Sequence, residues 1–433
     1  MKGKVLFVFL LCVFFIAPHP ADAARLNTIG FELNTCTADV ELTRCDEGGT
    51  VTTISSAQAH SGTYSMRANT SSSFSGGEYD FSAGTGVAFL RAYFYVVSYP
   101  DSNSTLVWFQ SSGGSLSGGA FMNSSGQIGV SYYLTTNPTY GAVLSAAVSK
   151  NVWHYLEVKV DSTVNNQQVV TVRLDGTQID SENGTRALGT NVNAQALLGT
   201  FGMGNESGTQ DVYYDDVAIN DNSGASQTSF AGPGNVIRLS PSAAGDANAW
   251  IRGGADSGAN WSQVDETTPN DITDYVFSTT LNNEDLYNMT DSGIGASDTV
   301  NVVQECIRFR GDNAASEPTF KGEIEKTSGG TLSQGSAITP NSTTWRSNAN
   351  ASPFNPTLTL YNDPDGAAWT KTTLDSMQAG VKLTTDSTNN NQVSDIWVYV
   401  DYTPGAVAVD RMRVRLSGGR IRIQGGRFRL QSN

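Results

Sequence analysis

The stretch NVWHYLEVKVDS, Asn151–Ser162, alternates along most of its length. Trp153, Tyr155, Glu157 and Lys159 fall on one side of an extended chain, and His154, Leu156, Val158 and Val160 fall on the other. One side is apolar and the other mixed, as in a strand half-buried against a core. His154 lines up with three aliphatic residues and reads as part of a wall rather than as a catalytic base. The chain has only two other histidines, His19 and His60, so a histidine-based triad has few places to stand.

The same period of two recurs on both sides of this stretch, in FLRAYFYVV, STLVWFQ, GQIGVSYYL and VVTVRLDG, with Gly, Ser, Asn and Asp clusters between. Such spacing predicts an all-β protein built from sandwiches. One exception, TTLDSMQAG from Thr372 to Gly380, predicts a short helical turn ended by its glycine. The run NDNSGASQTSFAGPGN carries few large apolar residues and reads as a linker. These breaks predict a first sandwich over 24–222, a linker over 223–234, a second sandwich over 235–403 and a tail over 404–433.

Residues 1–23 hold two lysines, an apolar run from Val5 to Ala17, and Ala21 and Ala23. They predict a signal peptide cut after Ala23, hence a secreted, extracellular or cell-surface protein. The apolar run is shorter than the roughly 20 residues of a membrane span, so no stable membrane insertion is expected. An oxidising compartment lets Cys36 and Cys45 pair across TADVELTR, while Cys306 reads as a buried thiol. Charged residues make up only 15% of the chain and the net charge is −15, which excludes general nucleic-acid binding. The tail RMRVRLSGGRIRIQGGRFRLQSN reverses that balance: its arginines alternate with apolar residues, and GGRIRIQ nearly repeats as GGRFRLQ. Strands joined by glycine turns are predicted there, with a homo-oligomer through the tail as their use.

Four segments in order carry a family likeness: IGFELNT, NVWHYLEVKVD, VVTVRLDGTQID and YYDDVAIND. Together they make residues 26–222 resemble the concanavalin A-like lectin and glucanase jelly roll in its LamG-type form. The resemblance implies architecture first and sugars second. Glucanases of that family carry Glu-x-Asp-x-(x)-Glu on one strand, since glycoside cleavage needs two carboxyl groups a few ångströms apart. Here GGEYDFSAG supplies Glu78 and Asp80, but Phe81, Ser82 and Ala83 stand where the second glutamate belongs; Glu323 and Glu325 lie in the other sandwich without an aspartate between them.

The resulting expectation is a recognition or adhesion protein without catalysis, whose partner is a polysaccharide or cell-surface glycan. Trp108, Tyr132 and Tyr133 are the candidate aromatic platform for a sugar ring. Calcium, common on this fold, is the one candidate ion, with Asp215 and Asp216 as ligands. Two rivals stand beside this: a structural subunit of a fibre, appendage or virion assembled through the tail, and a glycoside hydrolase with a degenerate or unrecognised carboxylate pair. The middle unit, with NPTLTLYNDPDGAAWTKTTLDSMQAGVKL and SDIWVYVDY, loosely resembles β-rich domains of phage structural proteins, which imply no reaction.

Overall fold

The computed structural model describes residues 24–45, 51–70, 75–135, 137–200, 210–255, 257–313, 318–340, 342–347, 356–385, 389–405, 422–424 and 427–429. The leader over 1–23 and most of the tail lie outside them.

The alternating stretches form the first sandwich. Its back sheet runs, edge to edge, through Thr177–Gly184, Gln168–Leu174, Trp153–Asp161, Val87–Ser98, Gln210–Asp221, Ser65–Thr70 and Val51–Ser55, and Arg25–Ile29 also pairs with Gln210–Asp221. The front sheet runs through Asn137–Ala147, Gln127–Leu134, Leu116–Met122, Ser104–Gln110, Asn193–Thr200, Ser75–Thr85 and Arg44–Cys45. Leu156, Val158 and Val160 point between the sheets and meet Phe109, Val130 and Leu198 in one core. The mixed side of that strand faces outward, where Trp153, Tyr155 and Glu157 lie opposite Tyr95, Tyr93 and Arg91.

Asp175 and Gly176 both have positive φ, 49° and 78°, as a two-residue hairpin turn requires. The Asp175 carboxylate meets His154 Nδ1 at 2.8 Å and accepts from the Tyr155 N–H at 3.0 Å. His154 thus belongs to the wall and to the turn beside it.

The second sandwich pairs a sheet of Ile251–Gly254, Asp274–Ser278, Asn391–Thr403, Thr299–Gly311 and Leu358–Leu360 with one of Pro241–Asn248, Glu284–Met289, Gln378–Leu383, Phe320–Glu325 and Leu332–Gln334. Its helix spans Lys371–Asp375 and starts at Thr370, whose hydroxyl accepts the Thr373 N–H. Gly380 does not end that helix. It lies in the following strand, where a Cβ would come within 1.8 Å of the Asp285 carbonyl oxygen.

The two sandwiches are locked together. Leu33 and Val40 from the first pack with Val236, Cys306, Trp397 and Tyr399 from the second. Beside them the fully buried Arg25 and Arg91 share Asp401, at 2.6 and 3.3 Å. The segment 223–234, read as a linker, lies against the first sandwich: Arg173 sits 3.7 Å over the Phe230 ring, and the Gly232 N–H donates to Glu157 at 2.7 Å. Cys36 and Cys45 are joined, with Cα atoms 5.5 Å apart, and Cys306 is a buried free thiol. In the tail, Arg422–Gln424 pairs antiparallel with Arg427–Arg429.

Candidate functional site

The outer face of the front sheet collects the polar side chains that alternation turns away from the core. On Ser75–Thr85, Tyr79 and Phe81 point inward, so Glu78 and Asp80 point out. Register then supplies their neighbours: Arg44 and Leu197 lie opposite Glu78, Gln195 opposite Asp80, and Gln110 opposite Gln195. Gln195 Nε2 donates to Glu78 Oε1 and to Asp80 Oδ1, both at 2.6 Å. The two carboxyl groups therefore meet at one amide and lie close enough for Glu78 to hydrogen-bond Asp80. Arg44 adds a contact to Glu78 Oε1 at 2.5 Å, and Gln110 Nε2 reaches Oε2 at 3.4 Å.

Glu78 is only 5% exposed. Burial, followed by its hydrogen bond with Asp80, pushes its pKa up to about 7 against the pull of Arg44. The group thus holds or releases a proton near neutrality, as an acid–base catalyst must. Among the described residues, buried polar atoms without a hydrogen-bond partner on this face include Trp108 Nε1, a donor, and Gln195 Oε1, an acceptor. A hydroxyl group serves both, since it donates and accepts.

The three aromatic candidates do not come together as one open surface. Trp108 and Tyr133 are 1% and 4% exposed and pack edge to face at 5.7 Å, with Arg186 4.6 Å from the Tyr133 ring centre. Tyr132, one residue on, takes the opposite side of the strand and packs against the core. Trp108 lies two strands from Glu78, with Leu197 between them.

Asp215 and Asp216 are both fully buried, and protein donors occupy their oxygens. Asp215 accepts the His60 and Ser61 N–H groups; Asp216 accepts the Ser61 hydroxyl and the Val236 N–H, and His60 Nδ1 abuts its other oxygen. Oxygens already facing donor hydrogens do not present a cation cage. Among the described residues, no cluster of three or more His, Cys, Asp or Glu is placed to hold a metal ion. Strict alternation would put Asp215 on the face of Val217, but Asp216 has φ 49° and a register shift lies between Asp215 and Ala218. That irregularity reverses the alternation. His60, which its polar surroundings gave no reason to single out, is stacked 3.6 Å from the Tyr93 ring.

No family model matches the chain, and no curated protein matches it. Solved structures similar to it include the endo-β-1,4-glucuronan lyase of Trichoderma reesei, at 15% identity and TM-score 0.33, covering 45% of this chain and 95% of that one. Domain 4 of AbnA, an extracellular arabinanase of Geobacillus stearothermophilus in complex with arabinotriose, is similar at 12% identity and TM-score 0.34, covering 47% and 95%. The alginate lyase of Aplysia kurodai stands at 13% and 0.33, covering 46% and 99%. The expectation of a protein without catalysis is corrected here. These structures are mostly lyases, hydrolases and sialidases.

Proposed function

We propose that the chain is an exported enzyme acting on a polysaccharide, with a concanavalin A-like first sandwich and Glu78 and Asp80 as its acid–base pair. One observation carries the reading: both carboxyl groups are held by the single Gln195 amide on an outward sheet face, with Glu78 titrating at about 7. A neutral Glu78 donates its proton to a departing glycosidic oxygen. Asp80 takes the complementary role at the sugar carbon, and Gln195 keeps the two in register. Arg44, at the Glu78 oxygen, favours return of the group to its charged form after the proton has left. The unpartnered Trp108 Nε1 and Gln195 Oε1 suit hydroxyls of the bound sugar.

The test is incubation of the full chain with a panel of neutral and acidic polysaccharides, following reducing ends and unsaturated sugar products in parallel. Cleavage of at least one polymer is expected, reduced about 100-fold or more by Glu78→Gln and by Asp80→Asn, the scale of losing a general acid or base. Absence of cleavage across the panel, or cleavage unaltered in both variants, overturns the assignment.

A further inference from the structure

At one end of the first sandwich, the turn between Ser75–Thr85 and Val87–Ser98 meets the loops after Trp153–Asp161 and before Asn193–Thr200, beside the end of Gln210–Asp221. These segments line an open cavity of about 430 Å³. It lies within the range of small-molecule pockets, roughly 300–1,000 Å³, at the size of a mono- or disaccharide. We infer that this cavity is a second binding pocket, separate from the Glu78–Asp80 face, for a neutral sugar. The inference rests on the saccharide reading of the protein but not on its catalytic pair.

The lining chooses the ligand class. Thr85, Thr163, Asn191, Asp221 and Asn222 present hydroxyl, amide and carboxylate groups, and Leu26 adds an apolar patch. No lysine or arginine lines the cavity, so a phosphate, sulfate or uronate finds no counter-charge. Asp221 is the one carboxylate there, and its Oδ1 already receives the Ser223 N–H and hydroxyl at 2.8 and 2.7 Å. That is too few oxygens for calcium, which takes 6–8. The lining's one aromatic ring, Phe81, is 3% exposed and belongs to the core, so a flat base has nothing to stack on. A sugar asks for donors and acceptors together. Asp221 Oδ2 and the Asn191 side-chain amide make no hydrogen bond among the described residues, and both line the cavity.

The walls are set before any ligand arrives. Ser162, fully buried, donates its N–H to the Gly86 carbonyl at 2.6 Å and accepts the Asn191 N–H on its own carbonyl at 3.0 Å. Its hydroxyl also receives the Val192 N–H and the Asn193 amide, both at 3.2 Å. Gly84 is required by this closeness, since a Cβ there would lie 2.0 Å from the Asn191 carbonyl oxygen. Walls tied together in this way spare a ligand the cost of ordering them.

The experiment is saturation-transfer NMR on the full chain with glucose, galactose, mannose, xylose, arabinose and their β-linked disaccharides, with glucuronate as the charged control. Saturable binding of at least one neutral sugar is expected. It should weaken about tenfold or more in Thr163→Val/Asp221→Asn, the effect of losing two polar partners, and persist in Glu78→Gln. Asn222→Ala, at an exposed position, replaces the double variant should that one fail to fold. Binding lost in Glu78→Gln and kept in the pocket variants places the sugar on the front sheet and overturns the inference. So does equal binding of glucuronate, or no binding by any neutral sugar. The polysaccharide-cleavage assay reads the other site, so either reading can fail alone.

Discussion

His154 and Glu78 show how a residue's role follows from its neighbours rather than from its type. The His154 ring is bound to Asp175 through Nδ1, its Nε2 is buried without a partner among the described residues, and it borders Phe94. His154→Gln is expected to lower stability by about 1–2 kcal/mol through a weakened turn, the scale for disturbing a buried polar group, while leaving polysaccharide cleavage within a few-fold. Chemical denaturation together with the cleavage assay checks this, and a large loss of cleavage at unchanged stability would contradict it. The wall position of His154 was legible because alternation is local, running through Leu156, Val158 and Val160. The surroundings of Glu78 were not, because Gln195 lies 117 positions away and only strand order brings it in. The glucanase pattern looks for both carboxyl groups at fixed spacing on one strand. It sees Glu78 and Asp80 but not the amide that makes a pair of them.

At the scale of elements, what could be read was whatever a period of two and a turn residue fix. The hairpin at Asp175–Gly176 and the strand Trp153–Asp161 stand where the pattern put them. The reversal at Asp216 was invisible, since one extra residue in a strand leaves no mark in a run such as YYDDVAIND, yet it decides which carboxylate faces which side. Likewise Gly380 looked like a helix stop, whereas close packing on Asp285 is what requires glycine. The tail carries a prediction at this scale. The last described contact before it is the Gly405 N–H donating to Asp298 at 2.8 Å, and the paired strands Arg422–Gln424 and Arg427–Arg429 are too short to be stable alone. Strands so short need a partner surface, and the proposed one is the same tail in another copy. Truncation after Gly405 is expected to leave both sandwiches folded and to lower the oligomeric state. Sedimentation of the two forms decides this, and a full-length chain that stays monomeric at high concentration counts against it.

For the whole molecule, the junction between the sandwiches concentrates both charge and pH dependence. Asp401 is the shared partner of two fully buried arginines. Although burial opposes it, Arg91 and Arg25 hold its pKa below the ordinary carboxylate value. Asp401→Asn leaves those guanidinium groups underpaired and is expected to cost about 3–5 kcal/mol, read as a lowered denaturation midpoint. Most other buried carboxyl groups are shifted the opposite way. Burial pushes Glu32, Glu41, Glu78, Glu323 and Asp395 up to about 7 and Glu266 up to about 8. In the unfolded chain such groups titrate near about 4. Between there and about 7–8 the folded protein binds more protons than the unfolded one, so stability falls as pH rises through that window. Below about 4 the sign reverses, because Asp401 must then be protonated against its arginines. The melting temperature is therefore expected to peak near pH 4 and to be lower at pH 8 by about 5 °C or more, where 1 kcal/mol corresponds to roughly 2–4 °C for a chain of a few hundred residues. Glu41→Gln, which keeps a neutral group beside Tyr399 and the Leu33 N–H, should flatten that slope. A melting temperature that rises steadily from pH 5 to pH 8 would show that these carboxyl groups fold in their charged forms, and that the junction is held together by something other than neutral acids among buried partners.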